Sequence, residues 1–281
     1  MKKYTIGLYE KAMPPSLTWR EKLAFARDSG YDFVEISIDE KDEKLARLDW
    51  TAQERRELVD AMQEVGLPIR SMCLSGHRKY PLGSADPAVR ERGMEIMEKA
   101  VALADDLGVR IIQLAGYDVY YEGSTAETKA LFLENLRKAA EMAAVKGILL
   151  GFETMETDFM NTVWKSMFYV NAVGSPYLGV YPDSGNLTNA ALTGKASVLE
   201  DLKSGRGHIV AMHLKETVPG VFREVPFLTG HVDFEAIIRT AWELGVRRYV
   251  TEMWYTGNDD TWKDDIHFAC RSMRELLDRQ A

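Results

Sequence analysis

The stretch ILLGFETMETDF, residues 148–159, contains the sequence unit from which the fold is predicted. Four apolar residues surround one glycine, as in a strand buried on both faces, and the apolar run stops at Glu153. Gly147 stands directly before the run, where a helix ends in an αβ loop. A carboxylate at the end of a buried strand loses hydration unless another group compensates for it. The stretch therefore predicts a helix, then a buried strand, then an acid that needs a partner.

The same unit recurs along the whole chain, as an apolar run, a loop, an amphipathic helix and often a glycine. Thr51 and Glu54, for example, form a capping box for a helix that ends at Gly66. Eight apolar runs predict strands, and they are Tyr4–Tyr9, Phe33–Ile38, Ile69–Leu74, Arg110–Ala115, Ile148–Glu153, Leu178–Asp183, Ile209–Leu214 and Arg248–Trp254.

Eight β-then-α units in 281 residues predict an α/β protein with a single (β/α)8 TIM barrel domain over residues 1–281. A doubly wound open sheet is the alternative fold. It would usually need fewer units and a glycine-rich first turn, whereas the first turn here reads GLYEKAMPP.

Composition excludes several classes of protein. The net charge of -8 disfavours non-specific binding to nucleic-acid phosphates. No apolar run is long enough for a membrane span, and we expect no signal peptide at the N-terminus. Cys73 and Cys270 have no paired spacing, so neither a disulfide framework nor a CxxC metal site is expected. These features predict a cytoplasmic protein with no nucleic-acid or membrane partner.

The last four predicted strands each reach a potential metal ligand, in order Glu153, Asp183, His213 and Glu252. Active sites of barrels lie at the C-terminal ends of the strands, so we expect these side chains to converge. Three ionised acids and a neutral imidazole have a net charge of -3, and a bound dication would reduce it to -1. Without a dication, at least one of the acids would bind a proton. Oxygen-rich ligation with one imidazole suits Mn²⁺ or Mg²⁺, and also fits Co²⁺ or Zn²⁺. A lone strand-end acid, by contrast, is as often structural.

Polar residues near the predicted mouth are candidates for substrate binding. The loop SGHRKY follows the third strand and suits a phosphate, unless it is only a solvated basic surface. The candidates are His77, Arg78, Gln113, Glu156, Asn186 and Lys215. Glu35, on the second strand, is expected to fix the mouth by a hydrogen bond, while His208 and His267 are interpreted as structural.

Five strings are more specific than generic barrel features: SMCLSGHRKYPLGS, IQLAGYDVYYE, VYPDSGNL, HIVAMHLKETVPGVFREVPF and EMW. Through them the chain resembles the L-ribulose-5-phosphate 3-epimerases (L-xylulose-5-phosphate 3-epimerases) of the xylose isomerase-like barrel superfamily. The resemblance implies that Glu153, Asp183, His213 and Glu252 bind the metal and that Glu153 and Glu252 are the two acid/base residues. It also implies a cytoplasmic enzyme of pentose phosphate and L-ascorbate catabolism.

Two segments depart from the pattern of that family. Where the family usually has Gly-Glu-Gly after VPF, this chain has Leu228, Thr229 and Gly230. The segment after GNL reads Thr-Asn-Ala at residues 188–190 and lacks an expected aromatic residue. Both lie at the predicted mouth, so they affect the expected substrate contacts and leave the expected metal ligands unchanged.

The resemblance thus implies a metal-dependent 3-epimerase that interconverts L-ribulose 5-phosphate and L-xylulose 5-phosphate, and the predicted ligand cluster fits that chemistry. Such an enzyme moves a proton off C3 and onto its other face, through an enediolate that a metal stabilises. An epimerase or isomerase of unphosphorylated ketoses is the alternative. A metal-dependent endonuclease is remote, because it needs a His-rich zinc cluster and the chain has five histidines. A non-catalytic sugar-binding barrel is a third alternative. The pair Glu153 and Glu252 argues against it, because such a protein would not need two opposed carboxylates on a metal. The expected partners are a small ketose phosphate and a second copy of the chain in a dimer.

Overall fold

Eight parallel strands form the wall of a barrel in the computed structural model of the protein, which describes residues 3–194 and 197–281. Their buried, mostly apolar sequences suit a sheet that is covered on both faces. The strands are β1 (Thr5–Tyr9), β2 (Phe33–Ile38), β3 (Ile69–Leu74), β4 (Ile111–Ala115), β5 (Leu149–Glu153), β6 (Leu178–Tyr181), β7 (Met212–Leu214) and β8 (Arg248–Thr251).

The strands pair in the order β6-β5-β4-β3-β2-β1-β8-β7. Single bridges join the two ends of this order, between Val180 and Ile209 and between Asp183 and His213. The sheet therefore curls into a nearly closed barrel, which confirms the predicted fold and rules out the open doubly wound sheet. The further prediction of a single domain over residues 1–281 stays a prediction.

Helices follow the strands and cover the outside of the barrel, with the capping signals that the sequence contains. The predicted capping box of Thr51 and Glu54 is present, and Asp86 caps a helix with Pro87 at its first position. The helices are α1 (Trp19–Asp28), α2 (Asp42–Leu45), α3 (Ala52–Val65), α4 (Pro87–Leu107), α5 (Ala126–Val145), α6 (Val163–Val173), α7 (Ser184–Thr193), α8 (Val198–Ser204), α9 (Phe234–Glu243) and α10 (Trp262–Asp278). Within the two described ranges, none of them is both long and apolar enough to cross a membrane.

The last three strands are shorter than the sequence predicts. β6 stops at Tyr181, so Asp183 lies beyond the strand and caps α7, where its carboxylate accepts a hydrogen bond from the backbone N–H of Asn186. Likewise β8 stops at Thr251, and Glu252 is the first residue after it. Two of the four metal-ligand candidates therefore follow strand ends, because the chain turns toward the next helix there.

A small apolar cluster lies inside the barrel, beneath the mouth, and is separate from the larger core between strands and helices. Its rings approach the imidazole of His213, with centroid distances of 4.8 Å from Tyr181 and 6.3 Å from Tyr9. The buried members are Tyr9, Phe33, Cys73, Ile111, Tyr181, Ala211 and Val250. This cluster gives the site a floor of low polarity.

We expect Gly179→Ala to lower the free energy of unfolding by about 1–3 kcal/mol, measured by urea denaturation. A Cβ at Gly179 would lie 2.3 Å from the carbonyl oxygen of His208, so the chain between β6 and β7 would have to move. Gly123→Ala is the control, because Gly123 is exposed and no described heavy atom lies within 4 Å of the added Cβ. Equal stability of the two variants would contradict this close packing.

Candidate active site

The structure brings the four metal-ligand candidates together at the mouth of the barrel. Glu153 ends β5, Asp183 caps α7, His213 lies in β7 and Glu252 follows β8. One ligand atom from each residue lies within 4.8 Å of the others, and all four side chains are buried. Three carboxylates and one imidazole at this spacing are suited to hold a small divalent cation.

Two buried oxygens of this group support the fit of a cation. Among the described residues, neither Asp183 Oδ2 nor Glu252 Oε2 has a hydrogen-bond partner, although Glu252 Oε2 forms an ion pair with Lys215 Nζ at 3.3 Å. The other Asp183 oxygen, Oδ1, accepts from the Asn186 backbone N–H at 2.6 Å. Buried polar atoms normally have a partner, and these two oxygens belong to residues whose ligand atoms converge. A cation between the four residues would satisfy both.

Glu35 of β2 fixes the orientation of His213. His213 Nε2 lies 2.7 Å from Glu35 Oε1, and the Tyr181 hydroxyl donates to Glu35 Oε2 at 2.9 Å. Because Nε2 must carry a proton to donate to a carboxylate, Nδ1 is left facing the cluster, 3.3 Å from Glu153 Oε1. A carboxylate behind a metal-binding histidine fixes its tautomer in this way. The hydrogen bond expected of Glu35 therefore acts on His213.

Lys215 lies inside the cluster. Its Nζ is 3.1 Å from Asp183 Oδ1, 3.3 Å from Glu252 Oε2, and donates to Asn186 Oδ1 at 2.8 Å. Burial opposes the charge of Lys215, but the two carboxylates outweigh it and raise its pKa above the usual value. If every acid is counted as ionised and His213 as neutral, the charges of Lys215 and Glu35 cancel, so the formal balance stays at -3 without a dication and -1 with one.

The carboxyls of the cluster titrate differently. Burial raises the pKa of Asp183 to about 8, and burial also raises the pKa of Glu153 above its usual value. Burial acts in the same direction on Glu252, but Lys215 and His213 outweigh it and hold its pKa well below the usual range. The acids are therefore not equivalent, and crowding favours a proton on one of them when no cation is present.

Three of the other candidates line the cavity beside the cluster, namely Arg78, Glu156 and Asn186. Glu156 accepts a hydrogen bond from the Tyr117 hydroxyl at 2.9 Å, and Arg78 Nη2 donates to the same hydroxyl at 3.4 Å. The buried Nε of Arg78 has no hydrogen-bond partner in the described part of the chain. This side of the cavity thus holds a guanidinium with unused donor capacity.

His77 and Gln113 are not among the described residues that line this cavity, and their contact with substrate stays a prediction. His77 is buried with Nε2 3.0 Å from the carbonyl oxygen of Gly93 in α4, and burial lowers its pKa to about 4. Its neutral ring therefore faces the helix layer. Gln113 lies below the mouth and donates from Nε2 to Glu153 Oε2, so it orients that carboxylate.

Sequence reasoning missed several residues that line the cavity, which are Tyr9, Lys11, Cys73, Ser75, Met155, Phe222, Arg223 and Trp254. Trp254 carried a usable signal, because it stands two residues after Glu252. Arg223 carried none, because its position depends on the path of a loop and not on a strand period.

Comparisons with known proteins extend this picture. A sequence model of the xylose isomerase-like TIM barrel family matches residues 23–273. L-ribulose-5-phosphate 3-epimerase UlaE of Escherichia coli O139:H28 is 45% identical over 260 residues, which cover 92% of this chain and 90% of that protein. The protein of the same name from Shigella sonnei matches to the same extent. The chain belongs to the L-ribulose-5-phosphate 3-epimerase family. The resemblance drawn from the five strings is thereby confirmed.

Solved structures of ketose 3-epimerases share the fold of this family member. A D-psicose 3-epimerase structure in the presence of D-fructose has a TM-score of 0.81 at 17% identity and covers 97% of this chain and 99% of that chain. A structure of L-ribulose 3-epimerase has a TM-score of 0.75 at 22% identity and covers 99% and 95%. At such identities the likeness concerns the barrel itself.

We expect Asp183→Asn to weaken Mn²⁺ binding by more than the ~10–100-fold typical of losing an outer-sphere partner, measured by calorimetric titration. Asparagine still caps a helix, so the substitution isolates the loss of the charged ligand. Asp201→Asn is the control, because the Asp201 carboxylate is also buried and accepts backbone N–H groups of α6 away from the site. Wild-type Mn²⁺ affinity in Asp183→Asn would contradict the ligand assignment.

Proposed function

We propose that the protein is a metal-dependent 3-epimerase that interconverts L-ribulose 5-phosphate and L-xylulose 5-phosphate through an enediolate. The observation that carries the proposal is the convergence of Glu153, Asp183, His213 and Glu252 in a chain of this family. The enzyme is thus an isomerase of the epimerase class. Family membership also supports a cytoplasmic role in pentose phosphate and L-ascorbate catabolism, and we expect a homodimer.

The four converging residues hold the cation in this proposal, with Mn²⁺ as the first candidate and Mg²⁺, Co²⁺ or Zn²⁺ as alternatives. The oxygens of Asp183 and Glu252 that lack a hydrogen bond, and the Nδ1 of His213 that Glu35 directs into the cluster, support this assignment. When bound, a divalent cation polarises a carbonyl and stabilises negative charge that develops on its oxygen.

Glu153 and Glu252 are the acid/base pair in this proposal. Glu153 ends β5 and Glu252 follows β8, and these strands lie on opposite flanks of the arc of four ligand-bearing strands, so the two carboxyls face a bound ketose from different sides. One removes the proton from C3 and the other returns a proton to the opposite face, with the roles exchanged in the reverse direction. The raised pKa of Glu153 and the lowered pKa of Glu252 support one acid and one base in the free site.

Basic side chains at the mouth support a phosphorylated substrate. Lys11, Arg78 and Arg223 line the cavity outside the carboxylate cluster, in a chain whose net charge is -8. Arg78 is only 14% exposed and has an unused buried Nε, and a guanidinium matches the geometry of phosphate oxygens. These cations surround the mouth, whereas the carboxylates lie at its centre, which suits a sugar with one anionic end.

We expect Glu153→Gln and Glu252→Gln each to lower epimerisation at saturating Mn²⁺ by about 10²–10⁴-fold, because either variant lacks the base for one face of C3. Each should still exchange the C3 hydrogen of one epimer with solvent deuterium, and the two variants should do so with opposite epimers. Turnover and deuterium incorporation are measured by NMR on both ketose phosphates. Glu141→Gln, at an exposed glutamate of α5, is the control.

Two results of this experiment would contradict separate parts of the proposal. Near wild-type epimerisation by either variant, with metal content unchanged, would remove that residue from the mechanism. Equal kcat/KM of the wild type for L-ribulose 5-phosphate and L-ribulose would overturn the phosphate assignment and favour an epimerase of unphosphorylated ketoses.

We expect Arg78→Ala to lower kcat/KM for the phosphorylated sugar about 10–100-fold, since hydrogen bonds to charged groups contribute about 1.5–3 kcal/mol.

A further inference from the structure

Residues 217–231, which we call the strap, cross the mouth of the barrel between β7 and α9. Phe222 and Arg223, in the middle of the strap, line the cavity beside the metal-ligand candidates. Val218 and Val221 pair with each other near its tip. A surface segment of this kind depends on contacts from outside itself to keep one conformation.

The carboxylate of Glu216 holds both ends of the strap. Glu216 is 2% exposed; its Oε1 accepts from the backbone N–H groups of Thr217 at 3.0 Å and Val232 at 3.1 Å, and its Oε2 accepts from Leu228 at 3.0 Å. Gly230 packs directly against it, since an added Cβ would lie 2.4 Å from Oε1. One buried side chain therefore joins the beginning of the strap to its end.

The backbone at Leu228 shows why this contact matters. Leu228 has a φ of 64°, in the left-handed region that glycine occupies more easily than leucine. Such a conformation persists only where surrounding contacts hold it. The hydrogen bond from the Leu228 N–H to Glu216 is such a contact, so this chain relies on Glu216 to keep the strap in place.

The tip of the strap is held from α7. Asn189 Oδ1 accepts from the backbone N–H of Gly220 at 3.0 Å, and its Nδ2 donates to the carbonyl oxygen of Val221 at 3.4 Å. Pro219 followed by Gly220, with a φ of 76°, suits a tight type II turn at this point. The strap is therefore fixed at its base by Glu216 and at its tip by Asn189.

We propose that Glu216 is a positioning residue for the epimerase reaction, acting by clamping the strap so that Arg223 faces the anionic end of the ketose phosphate. The inference rests on the proposed function. The Arg223 guanidinium lies 5.7 Å from the ring centroid of Trp254, and Lys215 Nζ lies 5.8 Å from the same ring. The strap thus meets the wall of the site through Trp254.

This arrangement predicts which kinetic constant Glu216 controls. The strap carries no metal-ligand candidate and neither member of the acid/base pair, so in this proposal it contributes to substrate binding and not to proton transfer. A contact to a part of the substrate that does not react can stabilise the ground state and the transition state equally. Loss of such a contact raises KM and leaves kcat nearly unchanged. Displacing Arg223 should therefore raise KM.

The test is Glu216→Gln, which preserves size but places an N–H₂ donor where a backbone N–H needs an acceptor. We expect KM for L-ribulose 5-phosphate to rise about tenfold, with kcat changed less than about threefold and Mn²⁺ content unchanged. Arg223→Ala should raise KM similarly, and adding Glu216→Gln to it should raise KM no further. Glu235→Gln, at an exposed glutamate of α9, is the control.

Hydrogen exchange tests the clamp without relying on activity. We expect faster exchange in residues 217–232 of Glu216→Gln than in the wild type, and partial recovery on adding Leu228→Gly, which removes the unfavourable φ. If Glu216→Gln does not fold, Asn189→Ala should raise KM and the rate of hydrogen exchange in the strap in the same way.

Unchanged hydrogen exchange in the strap, or KM effects of Glu216→Gln and Arg223→Ala that multiply in the double variant, would overturn the proposal. A wild type that binds Mn²⁺ but epimerises no ketose phosphate would contradict the proposed function, and the exchange result would still decide the clamp.

Discussion

Repulsion among three buried carboxylates is the constraint on which the rest of the site depends. Glu153, Asp183 and Glu252 place their oxygens within 4.8 Å of one another and of His213, in a pocket whose floor is apolar. Ionised acids at this spacing are stable only if cations compensate for them. Lys215 supplies one positive charge, while Glu35 adds one negative charge behind His213, so the chain by itself balances the three acids only if one or more of these groups binds a proton.

The metal-ligand candidates and the residues proposed to bind the phosphate lie in different parts of the barrel. The ligand candidates lie in strands or within two residues of their ends, where the parallel sheet limits movement. The basic residues Arg78 and Arg223 lie in loops, and side chains hold those loops: Tyr117 near Arg78, and Glu216 at the base of the strap. Loops of barrels vary more easily than strands, so a fixed metal chemistry can be combined with different substrate ends.

The fold and the acidic cluster could be predicted from the sequence because both follow from strand periods. The apolar runs gave β2 and β3 with the observed bounds, and the last four runs located the four candidates that converge. The depth of Gln113 could not be predicted, because a strand period does not give depth: Gln113 pairs with Gly151, two residues before Glu153, and so lies one layer below the mouth. The contact of His77 with α4 could not be predicted either, because nothing in SGHRKY indicates which side of the loop faces that helix. The clamp of Glu216 could not be found at all, since Leu228 and Val232 are 12 and 16 residues away through irregular chain.

The most direct test of the account is the position of Mn²⁺ in crystals of the protein, located by anomalous diffraction. We predict one ion for each chain, at about 2.0–2.3 Å from Glu153, Asp183, the Nδ1 of His213 and Glu252, as small divalent cations bind such donors. The ion should also leave Glu35 bound to His213 Nε2. An ion bound elsewhere, or no ion at saturating Mn²⁺ while the four residues stay clustered, would contradict the central claim that a divalent cation balances the buried acids.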